Sequence, residues 1–112
     1  MAGNGKAKGK SKPASAGNDP AALQLEAFRL NQAGQGEQAL PIAARAVELC
    51  TGSTAVNPCA YALFEYARAL RMTGDPERAI AVLEERKQRF PDDQPAAVEA
   101  ELQRARAAVG GD

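Results

Sequence analysis

The feature that most constrains this chain is that it repeats itself. The segment LNQAGQGEQAL, residues 30–40, aligns without a gap to LRMTGDPERAI, residues 70–80. Leu30 pairs with Leu70, Gly34 with Gly74, Glu37 with Glu77 and Ala39 with Ala79, an offset of 40 residues. The match extends upstream, from Leu23 to Leu63 and from Ala27 to Ala67. A recurring unit of this size hides its apolar face against its neighbour, which is how helical solenoids are built.

The local signals agree with helices. Asp19-Pro20, Asn57-Pro58 and Asp75-Pro76 each place a good N-cap before a proline, which is favoured at the first helical position. Gly36-Glu37 and Asp92-Asp93, with Pro95 in the first turn, mark two further starts. Gly34, Gly52 and Gly74 suit the left-handed residue after a helix, and Pro91 cannot extend one. The predicted helices are 20–33, 37–50, 58–73, 76–90 and 94–109. Apolar residues recur at helical spacing within them: Leu23, Ala27 and Leu30; Leu63, Ala67 and Leu70; Ala79, Ile80, Val82 and Leu83. No segment shows the alternation of a half-buried strand. Alanine dominates while aromatics are scarce, three Phe, two Tyr and no Trp, which favours close helix packing over a sheet sandwich. Pro41 removes one backbone hydrogen bond inside the second helix and predicts a mild bend.

Charge and composition exclude several classes. Residues 1–18 carry Lys6, Lys8, Lys10 and Lys12 with no acid and almost nothing to bury, so they are expected to be a disordered tail or linker. Residues 19–112 form the expected folded domain, with ten basic and fourteen acidic residues, a net of −4. A nucleic-acid module is not expected from that balance. The chain has no histidine, hence no ordinary general base near neutral pH and no commonest zinc ligand. No apolar run approaches the roughly 20 residues of a membrane span, so direct membrane insertion is not expected. No carboxylate pair stands out as an acid and base. Glu85 and Arg89 read as an i,i+4 pair on a solvated face. In the last helix, Glu99, Glu101, Arg104 and Arg106 read as a polar outer surface over Val98, Leu102, Ala105 and Val109.

The second unit resembles a tetratricopeptide repeat. Counted from Ala60, Leu63 falls at position 4, Ala67 at 8, Leu70 at 11, Gly74 at 15, Ala79 at 20, Leu83 at 24 and Pro91 at 32. Tyr66 departs from the family at position 7, where Leu is usual, and Arg86 at position 27, where Ala is usual. The first unit, counted from Pro20, keeps Leu23, Ala27, Leu30, Gly34, Ala39 and Ala46, but has Glu26 at position 7 and Ala43 at position 24. The resemblance implies an all-α, right-handed α-α solenoid of two helix pairs closed by a capping helix. It also implies a concave groove lined by the first helix of each pair. The chain is similar, more weakly, to the C-terminal repeat segments of bacterial membrane-spanning serine/threonine kinases, which would make it a sensor or docking piece of a larger protein.

Carried onto this sequence, the groove positions are Ala21, Gln24, Phe28 and Asn31, then Tyr61, Phe64, Arg68 and Arg71. Phe64, Arg68 and Arg71 share one stripe. An aromatic beside two arginines suits an extended peptide carrying a carboxylate or other anion. The competing reading makes Phe28, Tyr61 and Phe64 inter-repeat core and leaves the arginines solvated. The carboxylate clamp of chaperone-binding family members is not supported, because Gln24 and Phe28 occupy two of its positions. The expected function is therefore a non-enzymatic protein-protein interaction module binding a peptide or protein segment, with no cofactor. The alternative is a structural element that self-associates into a homo-oligomer.

Cys50 and Cys59 are the only cysteines. Two cysteines without histidine cannot complete a structural zinc site unless it is shared across a dimer, and the spacing is not that of a CxxC redox centre. A disulfide and two free thiols both remain. The repeat offset of 40 exceeds the family's 34, and the six extra residues fall between the second and third helices. A disulfide there would fasten the one joint that is longer than standard. Bridged, the pair implies an oxidising, extracytoplasmic setting; free, a cytoplasmic one.

Overall fold

The computed structural model describes residues 17–110. The expected lysine tail therefore lies, except for its last two residues, outside the described residues. Five α-helices follow one another: α1 (Pro20–Gln32), α2 (Gly36–Leu49), α3 (Tyr61–Met72), α4 (Pro76–Arg89) and α5 (Pro95–Gly110). Among the described residues there is no strand, and no helix is long and apolar enough to cross a membrane.

Most helix ends lie within a residue of expectation. Asp19 Oδ1 accepts from the N–H of Ala21 at 3.1 Å, and Asp75 Oδ1 from that of Arg78 at 3.4 Å. Gly34 and Gly74, equivalent in the two units, have φ of +77° and +93°. Only glycine takes that region without strain, so both α1 and α3 turn sharply into their partners at the same point. The start of the third helix is the exception. It was expected at Pro58 with Asn57 as cap, but Asn57 keeps an extended backbone (φ −104°, ψ 115°). Residues Val56–Ala60 instead make one wide turn, with a cis Asn57–Pro58 bond, and α3 begins at Tyr61. Helix α2 runs continuously through Pro41.

Each helix packs on the next, and α3 also packs on both α1 and α5. The first helices of the successive units, α1 and α3, and then the closing helix α5, therefore lie side by side, as a solenoid requires. Helix α3 has two buried faces. Ala62 and Ala69 meet Leu23, Ala27, Ala39, Ala43 and Ala46 of the first pair. Ala67 and Leu70 meet Ala79, Leu83, Val98, Leu102 and Ala105 of α4 and α5. The alanines on these faces are fully buried, so backbones approach closely across them. Gly36 shows the same constraint, since a Cβ placed there would lie 2.9 Å from Cβ of Met72. The start of α2 can rest on the end of α3 only without a side chain.

The last helix corrects one expectation. Val98, Leu102 and Ala105 are buried as expected, but Val109 is exposed and Glu101 is buried. Glu101 lies one turn from both Val98 and Ala105, so it falls inside the buried stripe. Shifted by 36 residues, Ala62, Glu65, Tyr66 and Ala69 of α3 become Val98, Glu101, Leu102 and Ala105 of α5. Helix α5 thus meets α3 as α3 meets α1. The opposite face of α3 (Leu63, Ala67, Leu70) maps onto Glu99, Gln103 and Arg106. Two of these are tied back to α4: Lys87 to Glu99 at 2.6 Å and Arg106 to Glu84 at 3.1 Å. Where α3 offers an apolar stripe to the next helix, α5 offers charge to water.

Candidate functional site

Cys50 and Cys59 form a disulfide, with Cα atoms 5.6 Å apart. It joins the end of α2 to the turn that leads into α3. Both cysteines are buried against Ala60, Leu63 and Phe90. The inserted segment is also held from outside, because Arg89 donates to the carbonyl of Ser53 at 2.9 Å. The pair is therefore structural in its setting, and Tyr61 packs against the same cluster. Among the described residues no three carboxylate, cysteine or histidine groups converge as metal ligands.

A cavity of about 320 Å³ opens where α1, the start of α3 and the α4–α5 linker meet. Leu25 and Phe28 from α1 and Tyr61 and Phe64 from α3 supply its apolar wall. Gln24 and Gln94 contribute neutral amides, and Glu65, Arg68 and Arg86 bring charge. Five of the residues predicted from the repeat positions come together here: Gln24, Phe28, Tyr61, Phe64 and Arg68. Ala21, Asn31 and Arg71 do not line the cavity.

Asn31 is instead buried between α1 and α3. Its amide donates to the carbonyl of Glu65 at 3.1 Å and to Glu65 Oε1 at 2.8 Å. The same carboxylate oxygen accepts from Arg68 at 3.2 Å, and Arg68 donates onward to Gln32 at 3.0 Å. Burial is the main cause that raises the Glu65 carboxyl above its ordinary value of 4.5; Asn31 and Arg68 pull it down less strongly. Arg71 is likewise committed, in an ion pair with the buried Glu101, to which Arg104 adds a contact at 3.3 Å. The two arginines expected to face a ligand anion are thus each held by a carboxylate of the protein.

Four wall residues escaped the repeat reading: Leu25, Glu65, Gln94 and Arg86. Only Arg86 carried a signal, as a departure from the family. Its side chain is 1 % exposed. It donates to the carbonyl of Ala60 at 3.0 Å, and to the carbonyl and carboxylate of Asp93 at 2.9 and 2.6 Å. Its guanidinium also stacks over Phe64, 5.8 Å from the ring centre. One arginine of α4 therefore ties the start of α3, the α4–α5 linker and the cavity floor together. The other departure is explained in the same way, since the Tyr66 hydroxyl accepts from Arg78 at 2.7 Å.

Residues 62–107, which cover α3 except Tyr61, all of α4 and most of α5, match the family model of the tetratricopeptide repeat. This part of the chain is a tetratricopeptide-like repeat, and repeats of that family are generally protein-protein interaction modules. No curated protein and no solved structure matches the chain.

Proposed function

We propose that this domain is an interaction module that receives an extended peptide or protein segment in the cavity between α1 and α3. The observation that carries this reading is where its apolar surface is left open. Of the four large hydrophobic residues exposed among the described residues, Leu25 (41 % exposed) and Phe28 (39 %) both line this one cavity. Exposed apolar surface gathered at a concavity marks binding sites more often than scattered residues do. The self-association reading gains nothing from the α5 end, where a stacked copy would meet Glu99, Gln103 and Arg106. The buried disulfide supports an oxidising compartment as the working environment.

The test is selection of random displayed peptides on the oxidised protein. Selected peptides are expected to lose binding to Phe28→Ser and Leu25→Ser, which change exposed side chains and leave the helical signal intact. Peptides that bind both variants as well as the wild type would place the interaction elsewhere and refute the reading.

A further inference from the structure

Resting on that reading, we infer that the cavity takes a bulky apolar side chain from a locally uncharged segment of the partner, and not an anionic group. Three charged residues reach the cavity, and each already has its counter-charge. Arg68 is paired with Glu65 at 3.2 Å and Arg86 with Asp93 at 2.6 Å. The remaining arginine of the predicted stripe, Arg71, is turned to Glu101. A carboxylate entering the cavity would compete with Glu65 for Arg68, the one cation paired with that buried carboxylate, and would stand beside a like charge, which is unfavourable. A cation would face Arg68 and the fully buried Arg86. A neutral group disturbs neither pair.

The rest of the wall fits that occupant. Leu25, Phe28, Tyr61 and Phe64 present apolar surface on two helices. The volume of about 320 Å³ lies at the small end of ligand sites, which run from about 300 to 1,000 Å³, and suits one large side chain. Gln24 and Gln94 stand in the same wall, and a carboxamide offers both a donor and an acceptor to a peptide group. The paired carboxamides suit main-chain recognition beside an apolar anchor.

Blocked amino acids serve as probes: N-acetyl-tryptophanamide, N-acetyl-leucinamide, N-acetyl-aspartamide and N-acetyl-lysinamide, each titrated into the oxidised, isotope-labelled full chain. The apolar probes are expected to shift the signals of Gln24, Phe28, Phe64 and Gln94 saturably, about tenfold more tightly than either charged probe. Phe28→Ser is expected to abolish those shifts. Equal or tighter saturation by the aspartate or lysine probe overturns the inference. The displayed-peptide selection separates the two claims. Peptides that depend on Phe28 but carry an acidic anchor leave the binding reading standing and remove this one. The absence of any cavity-dependent peptide, together with no saturable shift from any probe, removes both.

Discussion

Arg71 of α3 holds the buried carboxylate of Glu101 on α5, two helices along the chain, with two hydrogen bonds. One repeat earlier the same device joins Asn31 of α1 to Glu65 of α3. Asn31 and Arg71 are 40 residues apart, Glu65 and Glu101 36. In each case an arginine three residues after the glutamate, Arg68 or Arg104, adds a contact. The inter-repeat polar joint is therefore itself repeated, and apolar packing is not the only thing that sets the spacing of α1, α3 and α5.

This arrangement separates two arginines that look alike in sequence. Arg71→Met leaves the Glu101 side chain, 2 % exposed, without its main partner, and is expected to cost about 3 kcal/mol. Arg104→Met removes a side chain that is 59 % exposed and should cost less than about 1 kcal/mol. Urea unfolding of the two oxidised variants measures the difference; equal midpoints would show that Glu101 does not depend on Arg71.

Arg86 makes a second case. Arg86→Met keeps the volume but strips partners from the Ala60 carbonyl and from Asp93, at an expected cost of about 3 kcal/mol. The damage should be local before it is global. Amide exchange is expected to accelerate in the α4–α5 linker and the first turn of α3, while the α1–α2 hairpin stays protected. Uniform acceleration across all five helices would contradict the assignment of Arg86 as a tie between those two segments.

How far the sequence carried the structure follows from the kind of signal each feature leaves. Helix starts at Pro20 and Pro76 and the turns at Gly34 and Gly74 were readable because caps and left-handed glycines act within four residues. The small residues Ala27, Ala39, Ala67 and Ala79 were readable because the repeat writes them twice. The late start of α3 was not, since Asn57 satisfied the local rule for a cap and the inserted joint overrode it. In sequence Glu101 reads as a surface residue, because charge usually lies there. Only the register of α5 against Arg71, a contact 30 residues apart, makes its position a buried one. In the candidate site, repeat spacing points to Gln24, Phe28, Tyr61, Phe64 and Arg68 but passes over Leu25 and Glu65 on the same helices, and Gln94 enters from a linker whose path no periodicity encodes. Arg68 and Arg71 looked free because their partners are set by tertiary packing.

The burial of Glu65 sets the expected sign of a pH dependence in stability. Its folded-state pKa lies above the ordinary 4.5, so the folded protein binds this proton more tightly than the unfolded chain. The stabilisation linked to that proton is complete below pH 4.5 and is lost as pH rises through the folded value. Glu65→Gln keeps an acceptor for Asn31 and removes the titration. The stability of the wild type relative to this variant is therefore expected to fall from pH 4 towards neutrality. A difference that stays flat, or rises with pH, in parallel urea titrations would mean that Asn31 and Arg68 outweigh burial.

The disulfide links α2 to α3 across a sequence separation of 9. Closing a loop of about ten residues removes enough denatured-state entropy to add about 2.7 kcal/mol in the chain-entropy model. Cys50→Ala with Cys59→Ala is expected to lower the unfolding free energy by about that amount, and thiol alkylation of the unreduced wild type to add no label to the intact mass. The effect should also be directional. Tyr61 packs against the Cys50, Cys59 and Phe90 cluster and at the same time lines the cavity, whereas Asn31 lies at the far end of α1. In the double-alanine variant the backbone signal of Tyr61 should shift and apolar probes should bind more weakly, while the Asn31 signal stays in place. An unshifted Tyr61 would show that the reinforced joint and the cavity are independent.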